Sequence, residues 1–376
     1  MSLNLFDSRT QTVRPFTTRT PNEVLAYVCG ITPNNATHLG HAFTYVQFDV
    51  LRRLLHHHGY RVNYLQNATD INDSEDVIAQ ANARNISWQE LADYWVLHFH
   101  KQMDALNVLR PTTYMYATSA MSQIISMVTT LVEKGHAYVV ENMVYFDVTT
   151  SPSYGSMARL SGKQMETILG QRGGDPHDAR KRHPLDFVLW FASSQAPHWD
   201  SPWGMGRPGW HIECSAMIQE VLGDQIDIHA GGEDLMYPHH ESEIAQSEAV
   251  TGKQPYVSYW LHMAMVRYTG EKMSKSIGNL VLVEDVLKEY DAQVLRYLLL
   301  THHYRQSWEF EHSLLDMAAT KWAAIQNSLA QPDSGDFAKV YEALDDDLHT
   351  ERALELMHEM SGQPLRTSLA LLGFVV

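Results

Sequence analysis

Residues 27–41, YVCGITPNNATHLGH, constrain this chain more than any other stretch. The apolar run 24–28 ends in Cys29-Gly30, crosses a turn-rich segment and arrives at His38-Leu39-Gly40-His41. A continuous apolar run bounded by Gly and Pro predicts a strand buried in a parallel sheet. Residues 42–58 then carry apolar side chains at helical spacing, so the stretch marks a strand-to-helix junction. In open α/β sheets such junctions bind nucleotides, because helix N-terminal amides face the ligand. Gly40 would let the backbone approach a flat base, and the two imidazoles could donate to phosphate oxygens. One such tetrapeptide is weak evidence. Joined to Lys272-Met273-Ser274-Lys275-Ser276 far downstream, it becomes strong.

The rest of the chain reads as alternating elements. Strands are expected over 60–66, 186–191, 225–229 and 257–266, with a hairpin over 137–148 turning at Glu141-Asn142. Helices are expected over 74–84, 88–107, 119–134 and 238–250, the third presenting Met121, Ile124, Ile125, Val128, Leu131 and Val132 on one face before Gly135. From 284 onward the pattern is helical, broken at 331–335. The loop after the second strand, Asn67-Ala68-Thr69-Asp70-Ile71-Asn72-Asp73, is dense in hydrogen-bonding side chains. Residues 149–184 are rich in Ser, Gly, Pro and charge and read as a solvated loop around 171–176, QRGGDP.

At 376 residues, 44% of them hydrophobic, the chain can bury a substantial core and divide into more than one domain. The 44 Asp and Glu outnumber the 28 Lys and Arg, for a formal net charge of −16. That balance lacks the basic footprint of a protein that grips long nucleic acid, although a local basic patch remains compatible. No transmembrane run and no signal-peptide core occurs, and two cysteines far apart in sequence fit a reduced compartment. A cytoplasmic monomer without membrane contact is expected.

Those cysteines, Cys29 and Cys214, join His239 and Glu243 as candidate metal ligands. His239 and Glu243 stand at i and i+4 of an expected helix, which places them on one face. Two thiolates, an imidazole and a carboxylate can complete a tetrahedral zinc shell, and each residue sits at an element end that would open onto one cleft. Taken alone, each cysteine reads equally well as a small buried hydrophobe.

With these residues in view, the chain resembles the class I cysteine-activating family, which comprises cysteinyl-tRNA synthetases and mycothiol cysteine ligases. The resemblance runs through CGIT with His38 to His41, Asn67-Ala68-Thr69-Asp70, Gly209-Trp210-His211-Ile212-Glu213-Cys214, Gly231-Gly232-Glu233-Asp234, Pro238-His239-His240-Glu241 and Lys272 to Ser276. It implies a Rossmann-like class I aminoacyl-tRNA synthetase catalytic domain over 1–283, with a connective region inserted at about 110–185 and a helical stem-contact-like region over 284–376. It also implies ATP with Mg²⁺ as substrate, one Zn²⁺ per chain, and activation of L-cysteine as cysteinyl-adenylate. His38, His41, Lys272 and Lys275 would stabilise the reacting phosphates. Cys29, Gly30, Ile31, Thr32, Thr44, Asn67, Ala68, Thr69, Trp210, Gly232, Glu233, Asp234 and Val266 would line the adenylate pocket. The zinc would select cysteine over serine, because a soft thiolate coordinates it directly.

Within the family, THLGHA at 37–42, QRGGDP at 171–176 and NLVLV at 279–283 resemble the mycothiol ligase branch, Gln171 standing in place of that branch's Glu. The chain also stops 100 residues after Ser276, leaving no room for an anticodon-binding region. Glu243 resembles the synthetases' fourth zinc ligand, and Pro33-Asn34-Asn35 departs from the ligases' Pro-Tyr-Asp. The expected acceptor is the amine of glucosaminyl-inositol, with Arg172 and Asp175 as sugar contacts. The alternatives are a tRNA acceptor and a cysteine-activating paralogue with a different one.

Overall fold

The architecture comes from a computed structural model that describes residues 3–71, 76–273 and 278–376. Asn72, Asp73, Ser274, Lys275 and Ser276, singled out above, lie outside the described residues. The entry segment is an antiparallel hairpin, β1 (Asn4–Asp7) and β2 (Thr12–Pro15). Strand β3 (Glu23–Ile31) leads into helix α1 (Leu39–His57), which ends at His58 before Gly59, whose φ of 86° suits only glycine without strain. Strand β4 (Arg61–Ala68), helices α2 (Asp76–Ala83) and α3 (Trp88–Ala105), and β5 (Thr113–Tyr116) follow. Sequence reasoning did not find β5, whose four half-buried residues lack any alternation of apolar and polar positions.

Helix α4 (Met121–Glu133) begins after a 3₁₀ turn at Ala117–Ala120. The next strands, β6 (Ala137–Val140) and β7 (Met143–Phe146), join at Glu141 and Asn142, both with positive φ, as a tight hairpin needs. Residues 149–184 are not only a loop. They hold α5 (Gly162–Gln171), started by a capping box in which Gln164 Oε1 accepts from the Ser161 amide at 2.9 Å. Met165 and Leu169, four apart, form its buried face. Strands β8 (Phe187–Ala192) and β9 (Gly206–Pro208) complete an antiparallel sheet in the order β6-β7-β8-β9.

Helix α6 (Trp210–Val221), strand β10 (Ile226–Gly232), helix α7 (Glu241–Thr251) and strand β11 (Val257–Met263) return to the main body. The helix expected from about 238 is α-helical from Glu241, and Pro238 to His240 form a π-helical turn that runs into it without a break. His239 and His240 lie in the turn before it, after the extended Tyr237. The strand expected over 257–266 stops at Met263, and Val266 opens the separate strand β12 (Val266–Tyr268), flanked by β13 (Glu271–Lys272) and β14 (Trp308–Glu309). Helices α8 (Val283–Glu289), α9 (Ala292–Leu300), α10 (His312–Ser328), α11 (Phe337–Asp345), α12 (Thr350–Met357) and α13 (Gly362–Leu371) finish the chain.

The central sheet is parallel, in the order β11-β10-β3-β4-β5. The chain enters at β3 and steps outward to β4 and β5. It then returns to fill the other side with β10 and β11. Beyond the carboxyl ends of β3 and β10 the connections therefore diverge, leaving a crevice that such sheets use for ligands. The alternation of a strand decides what each face receives. Val24, Ala26 and Val28 of β3 join the core beneath α1, α9 and the C-terminal helices, whereas Tyr27 and Cys29 join the core built with α4, α6 and α7. One continuous core runs from Leu3 to Phe374, so the C-terminal helices pack directly on the sheet layer.

A buried ion pair pins that packing. Asp49 of α1 accepts from Arg296 Nη2 of α9 at 2.5 Å, from Arg53 Nε at 2.8 Å and from the Leu109 amide at 2.8 Å. Arg296 spends its other donors on the carbonyls of Leu106 and Leu372, at 2.6 and 2.7 Å. Removing one partner would leave a buried charge uncompensated. Arg296→Met is therefore expected to lower unfolding stability by about 3–5 kcal/mol, read as a shift in the urea midpoint. Asp49→Asn/Arg296→Met should recover part of it.

Candidate active site

The crevice holds a cavity of about 320 Å³. Its floor depends on one close approach. A Cβ on Gly30 would lie 1.5 Å from the carbonyl oxygen of Asn67, so only glycine lets β3 and β4 meet here. The Asn67 side chain accepts from the Gly30 amide at 2.7 Å and from Tyr27 Oη at 2.8 Å, and donates to Thr69 Oγ1 at 3.2 Å. Every hydrogen-bonding atom of that carboxamide is engaged in shaping the floor.

His38 is the N-cap of α1. Its Nδ1 accepts from the Gly40 amide at 3.1 Å, His41 Nδ1 accepts from the His38 amide at 3.5 Å, and the two rings stack at 3.8 Å. With both Nδ1 atoms accepting, a neutral ring carries its proton on Nε2. Gly40 serves this cap. A Cβ there would lie 2.9 Å from the His38 ring, a more specific demand than room for a base. The downstream signature is tied to the same place. The Leu39 amide donates to the Val281 carbonyl at 3.0 Å and the Val283 amide to the Thr37 carbonyl at 2.9 Å. Asn279 donates to the carbonyls of Tyr268 and Lys272 at 2.9 and 3.1 Å, fixing the base of the Lys272 loop.

Asp234 stands at the cleft wall with two cations on one carboxylate oxygen, Arg172 Nη1 at 3.2 Å and Lys272 Nζ at 3.8 Å. Trp210, at the head of α6, stacks on His239 at 4.5 Å.

Behind the cavity the four proposed ligands converge. One donor atom from each of Cys29, Cys214, His239 and Glu243 lies within 4.8 Å of the other three, and all four residues are buried. A tetrahedral zinc shell sets ligand atoms roughly 3.3–3.8 Å apart, so the set fits the ion with small adjustments. Glu243 accepts from His239 Nε2 at 3.1 Å and from His229 Nε2 at 3.0 Å, while His211 Nδ1 holds His239 Nδ1 at 2.9 Å. Such outer partners fix ligand orientation. The Cys29 thiol, its pKa raised by burial, hydrogen-bonds to Cys214, and this bond is the main reason the Cys214 pKa falls to about 6. Burial lowers the His239 pKa, but the charges of Cys214 and Glu243 outweigh it and hold it near 10. Burial raises the Glu243 pKa, and His229 and His239 outweigh that, to about 2. The negative potential that stabilises a proton on His239 suits a cation equally well.

Cys29, His229, His240 and Glu243 form a second overlapping set. It has one sulfur, and neither His229 nor His240 lines the cavity, whereas Cys29, Cys214 and His239 do. An ion in the first set could be reached by a ligand in the cleft.

Of the other residues singled out from sequence, Gly30, Ile31, Thr32, His38, His41, Thr44, Asn67, Thr69, Trp210, Gly232, Asp234 and Val266 line the cavity. Ala68 does not. It is buried in the core beneath α1, on the opposite face of β4 from Asn67. Glu233 and Lys272 stand outside the lining, and Lys275 lies outside the described residues. Tyr45, Met263 and Met265 line it without having been named from sequence, and Asn34, Met273 and Leu280, named only as parts of longer motifs, line it too. Apolar lining residues carry the same pattern as core residues and give no separate signal. Tyr45 was legible only in hindsight as a polar tip on the buried face of α1, where it donates to the Cys29 carbonyl at 2.9 Å.

A family model described as the tRNA synthetases class I (C) catalytic domain matches residues 15–320. Cysteine--tRNA ligases of Salmonella paratyphi B and Salmonella newport are each 44% identical over 369 residues, covering 96% of this chain and 78% of each relative. Among solved structures, Mycobacterium tuberculosis methionyl-tRNA synthetase in complex with methionyl-adenylate matches with a TM-score of 0.67 at 16% identity, over 93% of this chain and 82% of that one. A second structure of that enzyme bound by methionyl-adenylate matches with a TM-score of 0.65. These structures establish the fold alone. Domain match, relatives and sheet topology together place this chain in the class I (C) tRNA synthetase catalytic-domain family.

Proposed function

We propose that this chain, an ATP-dependent ligase by family, activates L-cysteine as cysteinyl-adenylate. One observation carries the reading: Cys29, Cys214 and His239 open onto the same cavity as His38, His41 and Asn67. A cysteine side chain seated on the sulfur-rich end would set its carboxylate toward the histidine end. That carboxylate attacks the α-phosphorus of ATP, the bond to the bridging oxygen breaks, and pyrophosphate leaves. His38 and His41 donate from Nε2 to the phosphate oxygens as charge builds, and Lys272, with Lys275, neutralises the leaving group. Mg²⁺ accompanies the nucleotide. Cys29, Cys214, His239 and Glu243 would hold a zinc ion, which would supply a borderline-soft Lewis acid that prefers thiolate to hydroxyl.

The acceptor reading that the 44%-identical cysteine--tRNA ligases support is a terminal ribose hydroxyl of tRNA. It attacks the acyl carbon, AMP leaves, and an ester forms. A second reading, transfer to the amine of glucosaminyl-inositol with formation of an amide, draws support from charge. Residues 284–376 hold sixteen Asp and Glu against seven Lys and Arg, a poor face for an RNA backbone. Among the described residues no helix is long and apolar enough to cross a membrane.

Pyrophosphate–ATP exchange should require added L-cysteine, with serine a poor substitute, and exchange independent of any amino acid would refute activation. His38→Ala or His41→Ala should slow exchange by about 10²–10³-fold. Elemental analysis of purified protein should give about one zinc per chain, lost in Cys214→Ser. With ATP and cysteine present, the acceptor is the one of tRNA and glucosaminyl-inositol that accumulates a cysteinyl product.

A further inference from the structure

Among the described residues, Asp234 is the only carboxylate that lines the cavity. Two cations already share its Oδ2, Arg172 Nη1 of the insert at 3.2 Å and Lys272 Nζ of β13 at 3.8 Å. They are not held alike. Arg172 closes α5 with its amide on the carbonyls of Ile168 and Leu169, at 3.0 and 3.1 Å, and it lines a neighbouring cavity instead of this one. Its guanidinium therefore meets Asp234 from behind the cleft wall, at hydrogen-bonding distance. Lys272 stands beyond that distance, with 42% of its side chain exposed. Pairing with Arg267 and the bond from Asn279 anchor its backbone, so only its four-carbon stem has to move for the ammonium to change partners.

An amino-acid substrate brings a third cation into this cavity. Its ammonium gives up water and needs an anionic partner. One carboxylate cannot serve three cations equally, and the loosest resident contact is the one to yield.

We propose that Asp234 is a point of cation exchange, at which the ammonium of incoming cysteine displaces Lys272 and releases it to the phosphates of ATP. The inference rests on the cysteine-activating reading above and adds a coupling between its two substrates. Arg172 is a positioning residue: by sharing the charge of Asp234 it keeps Lys272 loosely held. Amino acid and nucleotide then bind cooperatively, and by linkage each tightens the other by the same factor.

Calorimetric titration of the full chain with α,β-methylene-ATP, which cannot release pyrophosphate, tests this. Saturating L-cysteine should lower the Kd of the analogue by about 5-fold. Cysteamine, which keeps thiol and ammonium, should do the same, and 3-mercaptopropionate, which keeps thiol and carboxylate, should not. Lys272→Met should still bind cysteine and lose the effect. Arg172→Met, which leaves Lys272 as the one resident cation on Asp234, should weaken the analogue alone and enlarge the effect of cysteine, a pair of opposite changes that loss of a structural contact would not produce. Equal tightening by cysteamine and 3-mercaptopropionate, or tightening that persists in Lys272→Met, overturns the proposal. Cysteine-dependent exchange without ammonium-dependent tightening overturns the cation exchange alone, whereas a wild type that binds no cysteine overturns the activation reading with it.

Discussion

A carboxylate shut away from water governs this structure. Glu243 is fully buried, and its charge is tolerable only because two imidazoles donate to it. Meeting that demand fixes the neighbourhood. His229 must face this side of β10, His239 must occupy the turn before α7, and His211 must hold the far nitrogen of His239. The alternation of β3 then delivers Cys29 to the same side while its even-numbered neighbours pack under α1. A sulfur-rich, electronegative pocket thus follows from one buried charge and the two-residue period of a strand.

The parts of the fold that repeat a simple period were legible in the sequence. β3, α1, α4 and the β6–β7 hairpin each stand within a few residues of their expected places, because their apolar spacing and turn residues agree. Where signals conflicted, the reading failed. Ser161 and Gln164 form a capping box, yet the charge and glycine around them masked α5. His239 and Glu243, by contrast, were expected to meet four apart on one helix, and they do so across the π-helical turn that runs into α7. The contact survives because a turn leading into a helix can offer the same reach as the helix itself.

The site was legible as a set of residue types and not as a lining. Polar and thiol residues at strand ends announced themselves, while Met263, Met265 and Leu280 look like core until the cleft is seen. Ala68 shows the converse case. It lies inside a signature stretch, but strand alternation turns it away from Asn67 and into the core. Adjacency in a motif does not imply adjacency in a site.

The first turn of α1 carries a further consequence. Most helices begin on a hydroxyl or carboxylate that keeps its accepting oxygen over a wide range of acidity. Here the lone pairs come from His38 and His41, and a ring protonated on both nitrogens has none to lend to the Gly40 amide. The first turn of α1 is therefore built on rings whose Nδ1 lone pairs are committed to backbone amides, which leaves Nε2 as the edge each ring can turn toward an anion in the cleft.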